Sequence, residues 1–212
     1  MCSRILWGGE DQPIIVGRNM DWTEKMGAVL YTMPRGIEKE GMTQINPVKW
    51  TSKYGSIVAF IWEGASADGM NEAGLCANLL YLAESDYGDR DNSLEGISVS
   101  IWAQYFLDNF ATVAEVVEAA PSIQIRTFQS VHHGDKVNTP IHISLADATG
   151  DSVIIEILDG KPVIHHSKEY KVLTNSPIFT EQLVLLKQYE GLGNLYYLYP
   201  HEAWVYVPNS NH

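Results

Sequence analysis

The chain has 212 residues, 45% of them apolar and 19% charged, with 14 Lys and Arg against 26 Asp and Glu for a formal net charge of −12. That length and apolar content suit one domain or a tight pair with a sizeable core, and the low charged fraction excludes a disordered chain. The acidic balance disfavours nucleic acid and anionic membranes, no apolar run reaches the roughly 18 residues of a membrane span, and two cysteines make no disulfide scaffold.

Apolar runs are short and turn signals frequent. Ile5-Leu6-Trp7 and Ile14-Ile15-Val16 flank a polar tip, Gly8 to Gln12, and read as a β-hairpin. Candidate strands follow at Ala28 to Met33 and Ile57 to Trp62. Asp68-Gly69 and Asn71-Glu72-Ala73-Gly74 read as turns, and Leu75 to Leu82 as a further strand. The middle is helical. Ile97, Ile101, Trp102, Tyr105 and Phe106 form one apolar stripe in a helix of about 96–109, and Thr112-Val113-Ala114-Glu115 fits a capping box opening a second helix that Pro121 stops. Strands return at Ile141 to Leu145, Val153 to Leu158, Val163 to His165 and Val172 to Thr174. Phe179, Leu183 and Leu186 begin another helix. The order β-rich, αα, β-rich, α implies an α+β fold of stacked layers.

Cys2 is the residue that points to chemistry. It directly follows Met1, and a small side chain there permits removal of the methionine. A thiol and a free α-amine would then share one residue. An α-amine titrates near neutrality, at roughly 7.7–8.0, so it can take the thiol proton without a histidine. Taken alone, a Cys at position 2 is more often merely a small residue after the initiator. Arg18 and Asp21 lie in Gly17-Arg18-Asn19-Met20-Asp21-Trp22, at the hairpin end that returns beside Cys2. There the guanidinium would favour thiolate and the carboxylate would fix the amine.

Cys2, then Arg18-Asn19-Met20-Asp21-Trp22, then Asp68-Gly69-Met70-Asn71-Glu72-Ala73-Gly74-Leu75, then Leu173-Thr174-Asn175-Ser176-Pro177, in this order, resemble the choloylglycine hydrolase and penicillin V acylase family of N-terminal nucleophile hydrolases. The resemblance covers about residues 2–190. It implies a four-layer αββα sandwich of antiparallel sheets and cleavage of linear carbon–nitrogen amide bonds. Penicillin V and N-acyl homoserine lactones are the implied substrates ahead of conjugated bile salts. It assigns Cys2 as nucleophile, Arg18 and Asp21 as the groups that tune and anchor it, and Asn175 as oxyanion donor. Tyr81 falls where the family places its other oxyanion-hole residue, and bile-salt-cleaving members typically carry Asn there. By its residue type alone, Tyr81 is also a strand aromatic on the core. Trp22, Tyr31 and Trp62 are expected to line an apolar acyl pocket, though each singly reads as core.

The resemblance implies no metal or organic cofactor. Its expected partners are a small-molecule acyl amide and, once the full-length fold is completed, further copies of the chain, with no nucleic acid or membrane. His132-His133 and His165-His166 are poor chelators, because adjacent strand residues point to opposite faces. Cys76 reads as a buried thiol. The N-terminus lacks a basic region followed by an apolar one, which points to a cytoplasmic protein, or a periplasmic one if the true start lies upstream of Met1. Family members are longer and carry a further Arg in an Asp-Arg-Phe-like motif that is missing here. The expectation is therefore a domain over 1–190 that is incomplete at its C-terminus, and an atypical, possibly out-of-frame tail over 191–212. A catalytically inactive remnant or binding module on the same fold is the alternative.

Overall fold

The structure is a computed structural model that describes residues 1–8, 12–62, 64–127, 129–132 and 135–189. The hairpin tip at 9–11, His133 and the tail from 190 therefore lie outside the described residues. The chain divides into two compact units, 1–176 and 177–212.

In chain order the first unit contains β1 (Cys2–Trp7), β2 (Ile15–Met20), β3 (Val29–Met33), β4 (Glu38–Glu40), β5 (Lys49–Thr51), β6 (Ser56–Ile61), β7 (Ala65–Asn71), β8 (Cys76–Tyr81) and β9 (Gly96–Ser98). Helices α1 (Trp102–Asn109) and α2 (Val113–Ala119) follow, then β10 (Gln124–Arg126), β11 (Gln129–His132), β12 (Asp135–Asn138), β13 (Ile141–Ala146), β14 (Ser152–Leu158), β15 (Lys161–His166) and β16 (Val172–Thr174). The second unit contributes α3 (Phe179–Leu186), whose Gln182 side chain donates to the Pro177 carbonyl at 2.7 Å.

Two antiparallel sheets carry the fold. A seven-stranded sheet runs β15-β14-β13-β8-β7-β6-β3, and a three-stranded sheet runs β16-β1-β2. Strand alternation sorts the residues of the larger sheet. Ala77, Leu79, Ile143, Leu145, Val153 and Ile155 face one way and pack with Trp102, Phe106 and Leu107 of α1 and Val113 and Val116 of α2. The opposite face meets the smaller sheet. Along β1, Cys2, Arg4 and Leu6 are buried while Ile5 and Trp7 are exposed, so the hairpin turns alternate residues onto the larger sheet. The layers are thus helix, sheet and sheet.

The hairpin, the strands expected at 28–33, 57–62, 75–82, 141–145, 153–158, 163–165 and 172–174, and the Thr112–Glu115 capping box are found within a few residues of where the sequence predicts them, whereas β4, β5, β7, β9 and β10 to β12 are not anticipated; both the Thr112 and the Glu115 side chains accept backbone N–H groups. Two expectations are corrected. Gly96 to Ser98 is not helical. It forms a short parallel pair with β10, and a 3-10 turn at Val99–Ile101 precedes α1. Asp68-Gly69 is not a turn but the middle of β7. A methyl group on Gly69 would stand 2.6 Å from Leu107 Cδ1 and 2.8 Å from the Ile57 carbonyl oxygen. The glycine therefore marks close approach of α1 to the sheet rather than a reversal of the chain. The true turn is Asn71 to Gly74. There Asn71 Oδ1 accepts from the Ala73 and Leu75 amides while Nδ2 donates to the Leu107 and Phe110 carbonyls, and Gly74 has φ 93°.

Candidate active site

The β1–β2 register sets Cys2 against Met20 and Arg4 against Arg18, so all four side chains share the face turned to the larger sheet. Cys2 is buried with a free thiol, and Arg18 Nη2 stands 4.0 Å from its Sγ. Arg4 is fully buried and donates to Ser152 Oγ and the Tyr170 carbonyl, both at 3.3 Å; burial lowers its pKa to about 10.

The site opens where two strands part. Ala67 is an extra residue in the β6–β7 ladder, because Ala59 pairs with Asp68 while Phe60 pairs with Ser66. A bulge bends and twists its strand. Correspondingly, the β7–β8 ladder ends at Asp68–Asn78. Beyond that pair β8 stays joined to β13, with the Leu82 N–H on the Pro140 carbonyl, so the alternate carbonyls of Leu79 and Tyr81 turn toward the side β7 has left. Side chains take them in place of a strand. Arg18 Nη2 donates to the Leu79 carbonyl at 2.5 Å, and Asn175 Nδ2 donates to the Tyr81 carbonyl at 2.7 Å.

Asn175 also reaches Cys2, since its Oδ1 accepts the Cys2 backbone N–H at 2.6 Å. Thr174 Oγ1 donates to the Cys2 carbonyl at 3.0 Å, lacing the end of β16 to β1. Cys2, Arg18, Asn175 and Tyr81 are thereby brought together. Asp21 lies at the rim with its carboxylate exposed. Its backbone pairs with Met1 in both directions, Met1 N to Asp21 O at 2.8 Å and Asp21 N to Met1 O at 2.9 Å, and its Oδ2 is 3.7 Å from the terminal amine. In the presence of Met1, Asp21 thus holds the methionine's amine rather than that of Cys2.

Beside Cys2 lies a cavity of about 70 Å³ between the parted strands, lined by Ala65 to Ala67 on one side and Leu79 to Tyr81 on the other, with Met20, Met26 and Ile141. Trp22 closes it. Its ring centroid is 5.9 Å from both Trp62 and Tyr81. Trp62 adopts φ 48°, a left-handed conformation that strains a bulky side chain, and its amide donates to the Met26 carbonyl at 2.9 Å. Tyr31 is placed elsewhere. It packs edge-on against Phe60 at 5.6 Å, half-exposed on edge strand β3, and is not among the lining residues.

Two polar residues of the site escape sequence reasoning about roles. Asp68 Oδ2 meets Arg18 Nη1 at 2.9 Å, and Asp68 Oδ1 accepts from Asn78 Nδ2 at 2.9 Å. Burial pushes the Asp68 carboxyl up, against the pull of Arg18 and Asn78. The available signal was the strand register, in which Asp68 and Asn78 are directly opposite on one face. Of the histidines, His142 and His165 both contact buried Glu156, at 3.3 and 3.2 Å, while His166 turns the other way to Asp151 at 2.8 Å. The parting of His165 from His166 agrees with strand alternation.

The chain is similar to known proteins over most of its length. A penicillin V acylase of Pectobacterium atrosepticum is 41% identical over 201 residues, covering 91% of this chain and 54% of that protein. A bile salt hydrolase/transferase of Clostridium perfringens is 32% identical over 204 residues, covering 91% and 58%. The solved structure of penicillin V acylase from Agrobacterium tumefaciens superimposes with a TM-score of 0.82 at 45% identity, over 92% of this chain and 58% of that one. The chain thus spans little more than half the length of these relatives. They carry the N-terminal nucleophile hydrolase fold of stacked antiparallel sheets, and the described layers match it. Residues 2–197 match the family of linear amide C–N hydrolases known as the choloylglycine hydrolase family, and the chain belongs to that family.

Proposed function

We propose that the protein is a cysteine amidohydrolase acting on acyl amides of the penicillin V or N-acyl homoserine lactone type through Cys2. The observation that carries this reading is the convergence on Cys2 of Arg18 at its sulfur and Asn175 at its nitrogen. Removal of Met1 turns that nitrogen into an amine and releases the Asp21 backbone pairing beside it. The Cys2 sulfur then attacks the amide carbonyl while the amine takes the thiol proton. In this reading the Asn175 amide donates to the oxyanion, together with a backbone N–H near Tyr81. The α-ammonium protonates the leaving amine. Water, deprotonated by the same amine, attacks the thioester carbonyl, expels the thiolate and releases the acid.

The apolar cavity and the Trp22–Trp62–Tyr81 cluster support an aryl or alkyl acyl group over a conjugated steroid. The stronger likeness to a penicillin V acylase than to a bile salt hydrolase points the same way. Intact-mass measurement of the N-terminus, with a panel of penicillin V, long-chain acyl homoserine lactones and conjugated bile salts, tests the reading. The expected result is mature protein beginning at Cys2, turnover of the first two classes, and its loss in Cys2→Ala. Folded protein that retains Met1 and binds acyl amides without cleaving them would establish the alternative, a binding module.

A further inference from the structure

Arg18 has three nitrogens with which to orient its charge. Its Nε is buried with no partner among the described residues, so Nη1 and Nη2 alone set the plane of the guanidinium. Nη2 is shared between the Leu79 carbonyl and Cys2 Sγ. Nη1 is held by Asp68. Asp68 in turn is fixed from two sides: by the Asn78 amide across the strand pair and by its position next to the Ala67 bulge, which re-aims the residues that follow it. Arg4, opposite Arg18 on β1, takes neither partner and turns to Ser152 and Tyr170.

We propose that Asp68, braced by Asn78, is a positioning residue that locks Arg18 with Nη2 toward the Cys2 thiol and so sets the pH range over which that thiol reacts. The inference rests on the reading of Cys2 as nucleophile and adds a second carboxylate to its control. Asp21 governs the N-terminus from the rim, whereas Asp68 governs the cation from beneath. The raised titration of the Asp68 carboxyl agrees with a group kept in place despite its desolvation. Without its anchor, the guanidinium is free to leave Sγ for the Leu79 carbonyl or for solvent.

The test is the rate of Cys2 alkylation by iodoacetamide along a pH series. It is read at the Cys2 peptide by mass spectrometry in full chains with the same N-terminus, with circular dichroism reporting folding. In Asp68→Ala the pH of half-maximal reactivity should rise by about one unit or more. In Asn78→Ala it should rise by less. Asp68→Asn, which keeps an oxygen for Nη1, should restore a profile at or below that of the wild type. A purely structural residue would change stability and leave the midpoint in place. An unmoved midpoint in folded Asp68→Ala overturns the proposal; if that variant does not fold, an unmoved midpoint in Asn78→Ala does so. Alkylation consumes no amide, so hydrolysis of penicillin V measured in parallel reports separately on the hydrolase reading.

Discussion

Asp68 on β7 and Asp147 just after β13 are carboxylates of the same sheet under opposite regimes. Burial pushes both up. At Asp147 this is outweighed, because the Val113 amide donates at 2.9 Å, the Thr149 amide at 2.9 Å and the Thr149 hydroxyl at 2.7 Å, with the Asp151 amide adding to them, so its titration is lowered. At Asp68 the Arg18 guanidinium and the Asn78 amide leave burial the larger influence, and its titration is raised. The first carboxylate is held mainly by backbone donors from its own turn and from the start of α2, with the Thr149 hydroxyl beside them, and it fastens the helix to the sheet. The second is held by two side chains at the place where β7 and β8 part. What distinguishes structure from site here is the kind of donor, since backbone amides are fixed by the fold while side-chain donors are fixed only by one another.

Breaking the backbone-held carboxylate should have the largest effect. Asp147→Ala leaves the buried Val113 N–H without its acceptor and should cost about 2–3 kcal/mol in urea unfolding. A loss below about 0.5 kcal/mol would place Asp147 among ordinary surface residues and dissolve the contrast. Gly69→Ala should come next. Its methyl group drives against Leu107 and the Ile57 carbonyl beside Asp68, costing about 1–3 kcal/mol of overpacking and lowering the unfolding midpoint.

The smallest effect is the most discriminating. A carboxyl whose folded titration is raised binds more protons folded than unfolded, so its contribution to stability falls as pH rises from its ordinary value of 3.8 through the raised one. Asp68→Asn should therefore gain stability relative to the wild type as pH increases through that window, and then hold the gain. For Asp147 the sign reverses. Its contribution is present above 3.8 and is lost as pH falls through the lowered folded value. Unfolding curves for Asp68→Asn that track the wild type at every pH would remove the contrast between the two sites.

Local signals were legible where local chemistry decides. The capping box at Thr112 and Glu115, the Asn71–Gly74 turn and the β1–β2 hairpin each state their conformation in a few adjacent residues. The misread segments answer to distant ones. Gly96 to Ser98 is extended because β10, nearly thirty positions on, pairs with it, and Gly69 is in a strand because Leu107 needs its space. The same holds at the site. Cys2, Arg18 and Asn175 announce themselves by motif, whereas Asp68 was visible as part of one but not as a partner of Arg18. Its role depends on a single bulged residue that no periodicity betrays.

The parting of β7 from β8 has one more consequence. The groups that orient Arg18 and Asn175 at β8 are main-chain oxygens, which every amino acid supplies. Position 81 can therefore exchange one side chain for another, reshaping the wall of the cavity, without unfastening the residues around the thiol. An alanine scan would record Leu79 only as core and Tyr81 only as wall, and miss both as anchors. If the chain acts on acyl amides as proposed, preference for an acyl group can drift on such a scaffold while the reacting end stays constant, because recognition is written in side chains and the mounting of the chemistry in the backbone.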